Sequence, residues 1–181
     1  MAHMVTPPAS TPELVRQLAH CLQQHALMLA CAESCTGGLI AAACTDLAGS
    51  SAWFERGFVS YANAAKTELL GVDAALIAQH GAVSEEVARA MAAGALANSH
   101  AQVALAVTGV AGPGGGSTDK PVGTVWFAWA TPEGLYSERQ WFAGDRSAVR
   151  QATVQHALAT LIDLLNSGKH DTDQRFQPVK A

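Results

Sequence analysis

Charged side chains are scarce in this sequence, and neither sign dominates. They make up 14% of the 181 residues, and the formal net charge is -4 at pH 7 with histidine neutral. A surface that binds nucleic acid needs a concentrated excess of lysine and arginine, so we expect no nucleic-acid partner. No apolar run approaches the roughly 20 residues that a membrane-spanning helix requires, so we expect no membrane association of that kind.

Cysteine is also scarce, and its positions do not form a ligand pattern. The four cysteines fall close together in the N-terminal part of the chain, without a CxxC pair or the cysteine–histidine spacing typical of zinc. Reduced thiols are the simplest interpretation of this pattern. We therefore expect a cytoplasmic protein that binds no metal.

The two ends of the sequence lack the patterns of folded elements. The first four residues, MAHM, have no charged region followed by an apolar one, so a signal peptide is not indicated. MAHM resembles an expression-vector remnant, and we interpret residues 1–10 as an N-terminal extension. Residues 169–181 are polar and aperiodic, which predicts a flexible tail. A single domain over residues 11–168 is therefore expected.

Helical and strand patterns alternate between those ends. Amphipathic and Ala-rich segments predict helices at 12–25, 37–47, 63–70, 73–80, 84–98 and 145–168, with Thr11, Asn63 and Asp145 as caps. Apolar and β-branched runs predict strands at 26–32, 57–61, 102–108, 122–131 and 135–142, the last two forming a hairpin. This alternation predicts an α/β fold, a three-layer sandwich with a mixed, mostly parallel sheet between helices.

The segment of residues 31–66 holds most of the chemical information. A predicted buried strand breaks there into ESCTGG, residues 33–38, before an Ala-rich helix begins. A hydroxyl at such a turn lies beside unpaired N–H groups and the positive end of the helix dipole, which favour a developing anion. Glycine leaves room for a ligand to approach the backbone. We therefore expect Thr36, Gly37 and Gly38 to bind substrate.

This turn contains two candidate nucleophiles. Ser34 needs a base to remove its proton, whereas Cys35 lies beside a helix N-terminus, a position that lowers a thiol pKa. Taken alone, the pattern favours Ser34 as a helix cap. Lys66 is the candidate base if burial lowers its pKa from about 10.4 towards 7–8, because no histidine has an evident partner. A solvated lysine is the ordinary alternative.

Several other polar residues are candidates for supporting roles. Ser51 and Thr108 are candidates for orienting Lys66 or a scissile amide, or are simply turn and strand-end hydroxyls. Glu33 either orients Lys66 or favours the start of the helix that follows. Tyr61 is a candidate proton relay, and is equally typical of a core tyrosine with its hydroxyl at the rim.

A glycine-rich loop follows the predicted strand 102–108. It lacks the Gly-Lys-Ser/Thr sequence of a P-loop, so a nucleotide triphosphatase is disfavoured. Close backbone approach to a phosphate or a ribose is the better interpretation, with Gly109, Gly112 and Gly114 as the candidates. Arg146, in the first turn of the last helix, is a second phosphate candidate, with a solvated arginine as its alternative.

Three blocks of this sequence together resemble the C-terminal domain family of the competence-damage protein CinA: ESCTGG, AGSSAWFERGFVSYANAAK and VTGVAGPGGGSTDKPVGTVWFA. The match runs roughly from Thr11 to Ser167. The resemblance implies hydrolysis of the carboxamide of nicotinamide mononucleotide to nicotinate mononucleotide and ammonia, as part of pyridine nucleotide salvage and without a cofactor. It also reverses the preference at the turn, because it implies Ser34 as the nucleophile.

The resemblance leads to a mechanistic hypothesis. Lys66 deprotonates Ser34, which attacks the carboxamide carbon while N–H groups of residues 36–38 bind the oxyanion. Ammonia then leaves and water hydrolyses the acyl-enzyme. Tyr61 would relay a proton or place its ring against the pyridinium. A homo-oligomer is also expected, with the long apolar helices and Trp126 and Trp129 at its surface or, equally, in the core.

Two other functions remain open at this stage. A regulatory module would keep the nucleotide pocket without turnover, because a pocket guarantees shape rather than rate. A phosphate-transferring enzyme would use the glycine-rich loop and would depend on magnesium. Release of ammonia without a metal separates these functions from the amidohydrolase.

Overall fold

The computed structural model describes residues 9–167. Its elements in chain order are α1 (Thr11–Gln24), β1 (Leu29–Glu33), α2 (Leu39–Thr45), a 3-10 turn (Ser50–Ala52), β2 (Phe54–Val59), α3 (Asn63–Leu70), α4 (Ala74–His80), α5 (Glu85–Ala97), β3 (Val103–Gly109), β4 (Thr124–Thr131), β5 (Gly134–Trp141) and α6 (Arg146–Ser167). The predicted tail, the predicted helix end at Gly168 and residues 1–8 of the predicted extension lie outside the described residues.

The strands form one five-stranded sheet in the order β2-β1-β3-β4-β5. β1 pairs in parallel with both β2 and β3, whereas β4 is antiparallel to β3 and to β5. All strands except β4 therefore run in one direction, which confirms the predicted mixed, mostly parallel sheet. Glu33 at the end of β1 is paired with Val59 on one side and Val107 on the other, so three strands end at one edge of the sheet.

Each face of the sheet is covered by helices, which explains why the central strands are apolar throughout. In β1, Leu29 and Cys31 belong to a core shared with α1, α2 and α6, whereas Ala30 and Ala32 belong to a core shared with α5. Trp129 is fully buried in the first of these cores, so it is not a surface residue of this chain. Within the described residues, no helix combines the length and apolarity that crossing a bilayer requires.

The predicted element boundaries are corrected at several helix starts. The N-caps of α1 and α3 are Ser10 and Ala62, neither of which donates or accepts a side-chain cap bond, so the predicted caps Thr11 and Asn63 were wrong. The predicted cap at the last helix is confirmed, since Asp145 Oδ1 accepts from the N–H of Ala148 at 2.9 Å. α2 begins after Gly38, whose φ of 100° is left-handed and cannot belong to the helix.

The helix α3 is held close to α5, and this contact presents one lysine to the interior. A Cβ atom at Gly94 of α5 would lie 2.0 Å from the carbonyl oxygen of Leu70, so only glycine permits this approach. Lys66 and Leu70, one turn apart, are the buried residues of α3. Because Lys66 occupies a position that faces the core, its amine is directed inward rather than into solvent.

Candidate active site

A cavity of about 290 Å³ opens at the edge of the sheet where the parallel strands end. Open α/β sheets commonly bind ligands outside the carboxyl ends of their strands. Most of the predicted site residues line this cavity: Ser34, Tyr61, Lys66, Thr108, Gly109, Gly112, Gly114 and Arg146. Residues that follow three different strands thus meet at one place, although they are far apart in the sequence.

Ser34 and Lys66 are in direct contact inside this cavity. The Nζ atom of Lys66 lies 3.1 Å from the Oγ atom of Ser34, and it also donates to the carbonyl oxygens of Ser60 at 2.9 Å and Tyr61 at 3.2 Å. Lys66 is 1% exposed and Ser34 is 8% exposed, so both groups are largely removed from water. The arrangement places a potential base within proton-transfer distance of a hydroxyl.

The surroundings of Lys66 disfavour its charged form relative to a lysine in water. Burial lowers the pKa of the Lys66 amine, because a charged ammonium is poorly solvated there, and no carboxylate among the described residues pairs with it. A neutral amine has two N–H groups and one lone pair. The carbonyls of Ser60 and Tyr61 take the two N–H groups, which leaves the lone pair to accept the proton of Ser34.

Glu33 holds the start of α2 with a fully buried carboxylate. Its Oε2 atom accepts from the N–H groups of Gly38 and Ile40, both at 3.0 Å, and its Oε1 atom accepts from Ala41 at 2.8 Å. The hydroxyl of Thr36 also donates to Oε2, at 2.6 Å. Of the two roles weighed for Glu33, the structure supports the start of the helix, since its side chain does not contact Lys66.

The predicted donors of Gly37 and Gly38 are therefore not available to a ligand. The N–H of Gly38 is taken by Glu33, and the N–H of Gly37 donates to the carbonyl oxygen of Ser34 at 3.0 Å. Thr36 is fully buried, and neither it nor the two glycines line the cavity. Sequence alone missed this because the same glycine pattern serves a ligand or a tight, internally bonded turn equally well.

Cys35 does line the cavity, but its thiol is held in the protonated form. Burial is the largest effect and raises the pKa of the Cys35 thiol to about 12, against smaller opposing effects from its own backbone N–H and then from the charges of Arg150 and Lys66. A thiol is a weak nucleophile unless it is ionised. The position beside a helix start suggested the opposite shift, because burial could not be foreseen from the sequence.

The structure does not bring Ser51 to the cavity. Ser51 lies in the 3-10 turn that precedes β2, whereas the cavity is at the other end of that strand. The neighbouring Trp53 carbonyl accepts from the N–H of Leu29 at the beginning of β1, which fixes this turn at the opposite edge of the sheet. Ser51 is exposed there, and its hydroxyl does not reach Lys66.

Thr108 and the glycine-rich loop line the cavity on the β3 side. The hydroxyl of Thr108 donates to the carbonyl oxygen of Ala82 at 2.8 Å and so ties the α4–α5 connection to β3. A Cβ atom at Gly109 or Gly112 would approach Val125 or Val122 within 2.7 Å and 2.5 Å, respectively. These two glycines allow close packing within the protein, whereas Gly114 has open space around it.

Arg146 forms two hydrogen bonds at the mouth of the cavity. One guanidinium nitrogen donates to the carbonyl oxygen of Gly112 at 2.9 Å, and another donates to the hydroxyl of Tyr61 at 3.1 Å. Tyr61 is 57% exposed, so the interpretation as a core tyrosine was wrong. A cation thus joins the glycine-rich loop to the segment after β2, at the open side of the cavity.

Three residues that support the site were not predicted to belong to it. Asn63 lines the cavity beside Lys66, and Val83 lines it beside Ala82. Arg150 donates to the carbonyl oxygens of Cys35 and Thr36, in the turn that follows Ser34, here called the nucleophile turn. No motif marks an arginine that acts from a distant helix, so only the fold reveals it. Among residues 9–167, no three His, Cys, Asp or Glu side chains are grouped as a metal site would require.

Comparisons with known proteins cover nearly the whole described chain. The family model described as the CinA C-terminal domain matches residues 11–165. The nicotinamide-nucleotide amidohydrolase PncC of Enterobacter agglomerans is 53% identical over 151 residues, which are 83% of this chain and 92% of that protein. The PncC protein of Pseudomonas putida is 54% identical over 151 residues, with 83% and 94% covered.

A solved structure shows the same fold. The crystal structure of the competence/damage inducible protein CihA from Agrobacterium tumefaciens matches with a TM-score of 0.83 and 47% sequence identity. The match covers 90% of this chain and 99% of that chain. Together these comparisons confirm the resemblance carried by the three sequence blocks, and the matched region includes every residue that lines the cavity.

Proposed function

Since the chain belongs to the CinA C-terminal domain family, we propose that it hydrolyses nicotinamide mononucleotide to nicotinate mononucleotide and ammonia. The substrate comes from the names of the PncC relatives, which are more than half identical to it. The observation that carries the chemistry is the 3.1 Å contact between Lys66 Nζ and Ser34 Oγ. A buried amine beside a serine hydroxyl is one form of the base-activated nucleophile that acyl transfer requires.

The reaction begins at Ser34. Lys66 takes the hydroxyl proton while Oγ forms a bond to the carboxamide carbon, and the carbonyl electrons move onto oxygen. When these electrons return, the carbon–nitrogen bond breaks and the ammonium form of Lys66 gives its proton to the leaving nitrogen. Ammonia departs and an acyl-enzyme ester remains.

Water completes the cycle at the same pair of residues. The neutral Lys66 amine removes a proton from water as the oxygen attacks the ester carbon, and the proton then returns to Oγ as the ester bond breaks. The Nζ atom has an acceptor for each of its N–H groups both when it is neutral and when it is charged, because Ser60, Tyr61 and Ser34 surround it. Both protonation states of Lys66 therefore keep their N–H groups hydrogen-bonded during the cycle.

The oxyanion is bound by the backbone N–H of Cys35, which replaces the donors expected from sequence. Cys35 directly follows the nucleophile and lines the cavity. No carbonyl or carboxylate among residues 9–167 accepts from this N–H. The residue after the nucleophile supplies such a donor in other enzymes whose serine lies at a strand-to-helix turn.

The phosphate of the substrate binds at the mouth of the cavity. Arg146 carries the positive charge there, and the open backbone at Gly114 allows close approach. Tyr61 is exposed at the same rim, where its ring can lie against the pyridinium. The cavity thus has a reactive end at Ser34 and an anion-binding end at Arg146.

The cellular setting follows from the same assignment. Conversion of nicotinamide mononucleotide to its acid is a step of pyridine nucleotide salvage. The cysteines are all buried and none forms a disulfide, which supports a reducing, cytoplasmic environment: Cys21, Cys31, Cys35 and Cys44. Assembly into a homo-oligomer remains part of the proposal.

The purified chain incubated with nicotinamide mononucleotide and EDTA tests this function. We expect stoichiometric ammonia and nicotinate mononucleotide, and loss of both in Ser34→Ala. Binding of the nucleotide without any product would instead support a regulatory module. Turnover that depends on added magnesium would support the phosphate-transferring alternative.

A further inference from the structure

The guanidinium group of Arg150 is bound to backbone carbonyl groups. Its Nε atom donates to the carbonyl oxygen of Cys35 at 3.1 Å, and a terminal guanidinium nitrogen donates to the carbonyl oxygen of Thr36 at 2.8 Å. No carboxylate among residues 9–167 forms an ion pair with it. A half-buried guanidinium normally pairs with an anion, so this one is bound only to the dipoles of the nucleophile turn.

These two bonds determine how the peptide groups after Ser34 are oriented. In a trans peptide the carbonyl and the N–H point in opposite directions. The carbonyl of Ser34 is bound by the N–H of Gly37, and the next two carbonyls are bound by Arg150. The Cys35 N–H shares its peptide with the carbonyl of Ser34, so Arg150 acts on it indirectly. The contact of Arg150 with the Thr36 carbonyl orients the Gly37 N–H of the same peptide, and this N–H holds the Ser34 carbonyl, opposite the Cys35 N–H.

We propose that Arg150 is a positioning residue of the reaction: through the Thr36–Gly37 peptide it keeps the Cys35 N–H oriented for the oxyanion, and it adds a positive charge to the same turn. The inference rests on the proposed function, because it concerns the oxyanion formed when Ser34 attacks. Glu33 fixes the far side of the same turn through Gly38, Ile40 and Ala41, but with a negative charge. Arg150 therefore supplies the positive field that favours an anion next to Ser34.

The electrostatic effect of Arg150 on the site has the sign that this role requires. It acts to lower the pKa of the Cys35 thiol, although burial outweighs it. A charge that favours a thiolate at this position also favours an oxyanion bound to the same residue. A donor that is preorganised in this way contributes to the transition state more than to substrate binding.

The test uses Arg150→Gln, Arg150→Lys and the matched control Arg89→Gln. Arg89 also donates from a helix to a backbone carbonyl, that of Leu135, but lies outside the cavity. For Arg150→Gln we expect kcat to fall about 10²-fold while KM changes less than about threefold. Arg150→Lys keeps the charge but not the two-carbonyl contact and should lie between this variant and wild type. Arg89→Gln should leave kcat unchanged.

A second measurement separates this role from a purely structural one. In one analogue of nicotinamide mononucleotide an aldehyde replaces the carboxamide. Ser34 attacks its aldehyde carbon, and a tetrahedral oxyanion forms. The affinity for this analogue should fall in parallel with kcat in Arg150→Gln, whereas the affinity for nicotinate mononucleotide should not change. Methylguanidinium should partly restore kcat to Arg150→Ala.

Three results would overturn the inference. One is a folded Arg150→Gln with kcat within threefold of wild type. Another is an equal loss of affinity for the aldehyde and for the product. The third is a loss of activity in Arg150→Gln that matches its unfolded fraction, together with no rescue of Arg150→Ala by methylguanidinium. If wild type releases no ammonia, the proposed function fails instead, and the same variants are compared by the burst of p-nitrophenol when Ser34 is acylated by p-nitrophenyl acetate.

Discussion

The backbone N–H of Ser60 donates to the carbonyl oxygen of Glu33 at 2.8 Å, where β1 and β2 end. This bond joins the two segments that carry the candidate nucleophile and base. Glu33 immediately precedes Ser34, and the carbonyl of Ser60 accepts from Lys66 Nζ at 2.9 Å. Both Glu33 and Ser60 are fully buried. The separation of the two reactive atoms is therefore set by the sheet rather than by flexible side chains.

Glu33→Gln should destabilise the protein strongly. Glutamine has one acceptor oxygen, and its NH₂ group would face the N–H groups of α2, so charge-assisted bonds are lost and donors are left unpaired. We expect a loss of about 3 kcal/mol in the free energy of unfolding, measured with urea at pH 7. The control Glu13→Gln, in the exposed first turn of α1, should cost less than about 0.5 kcal/mol. A loss below about 1 kcal/mol in Glu33→Gln would contradict this account of the turn.

The activity should rise with pH through the pKa of Lys66. Below that pKa the amine carries a proton and has no lone pair, so it cannot take the proton of Ser34. Because burial lowers this pKa, the rise in kcat/KM should be centred below the ordinary lysine value of 10.5. A pH–rate profile with nicotinamide mononucleotide measures it.

The variant Lys66→Arg provides the control for that profile. Arginine stays protonated across the accessible pH range, so activity should fall at least about 10³-fold and the rise with pH should disappear. Residual activity that keeps the same pH dependence would show that another group is the base.

The nucleophile is identified by three substitutions that remove one heteroatom each. Ser34→Ala should lower kcat by at least about 10³-fold, because it removes the attacking oxygen. Cys35→Ala should keep kcat within about tenfold, since the thiol is protonated and its backbone N–H is retained. Ser51→Ala should have no effect, because its hydroxyl lies at the opposite edge of the sheet. A greater loss in Cys35→Ala than in Ser34→Ala would reverse the assignment.

Arg146→Gln should affect binding of a phosphorylated substrate selectively. Loss of a charge-assisted contact to phosphate is expected to raise KM for nicotinamide mononucleotide about 10- to 100-fold. The KM for nicotinamide riboside, which has no phosphate, should change less than about threefold. Equal changes for both substrates would mean that Arg146 only supports the loop through Gly112.

The layer architecture follows from local patterns and the pairing of Ser34 with Lys66 follows from the family resemblance, whereas the supporting contacts follow from neither. Alternating apolar strands and helices predict the sandwich, and the buried strand before Ser34 predicts a hydroxyl at its end. The roles of Glu33 and Arg150 depend on which N–H and carbonyl groups remain unpaired after folding, and this is a property of three-dimensional packing. Ser51 illustrates the same limit, because the strand predicted at 57–61 did not show that Ser51 lies at the end of β2 far from the cavity.

Arg146 and Arg150 lie one turn apart on α6; Arg146 lines the cavity and contacts Gly112, whereas Arg150 contacts the turn that follows Ser34. Rotation of this helix about its axis would move both guanidinium groups together. The contacts of Arg146 and of Arg150 are therefore positioned by the same helix. A single residue inserted between them would turn one arginine by about 100° relative to the other. Such an insertion is therefore expected to separate the proposed phosphate contact of Arg146 from the contacts of Arg150 with the turn that follows Ser34.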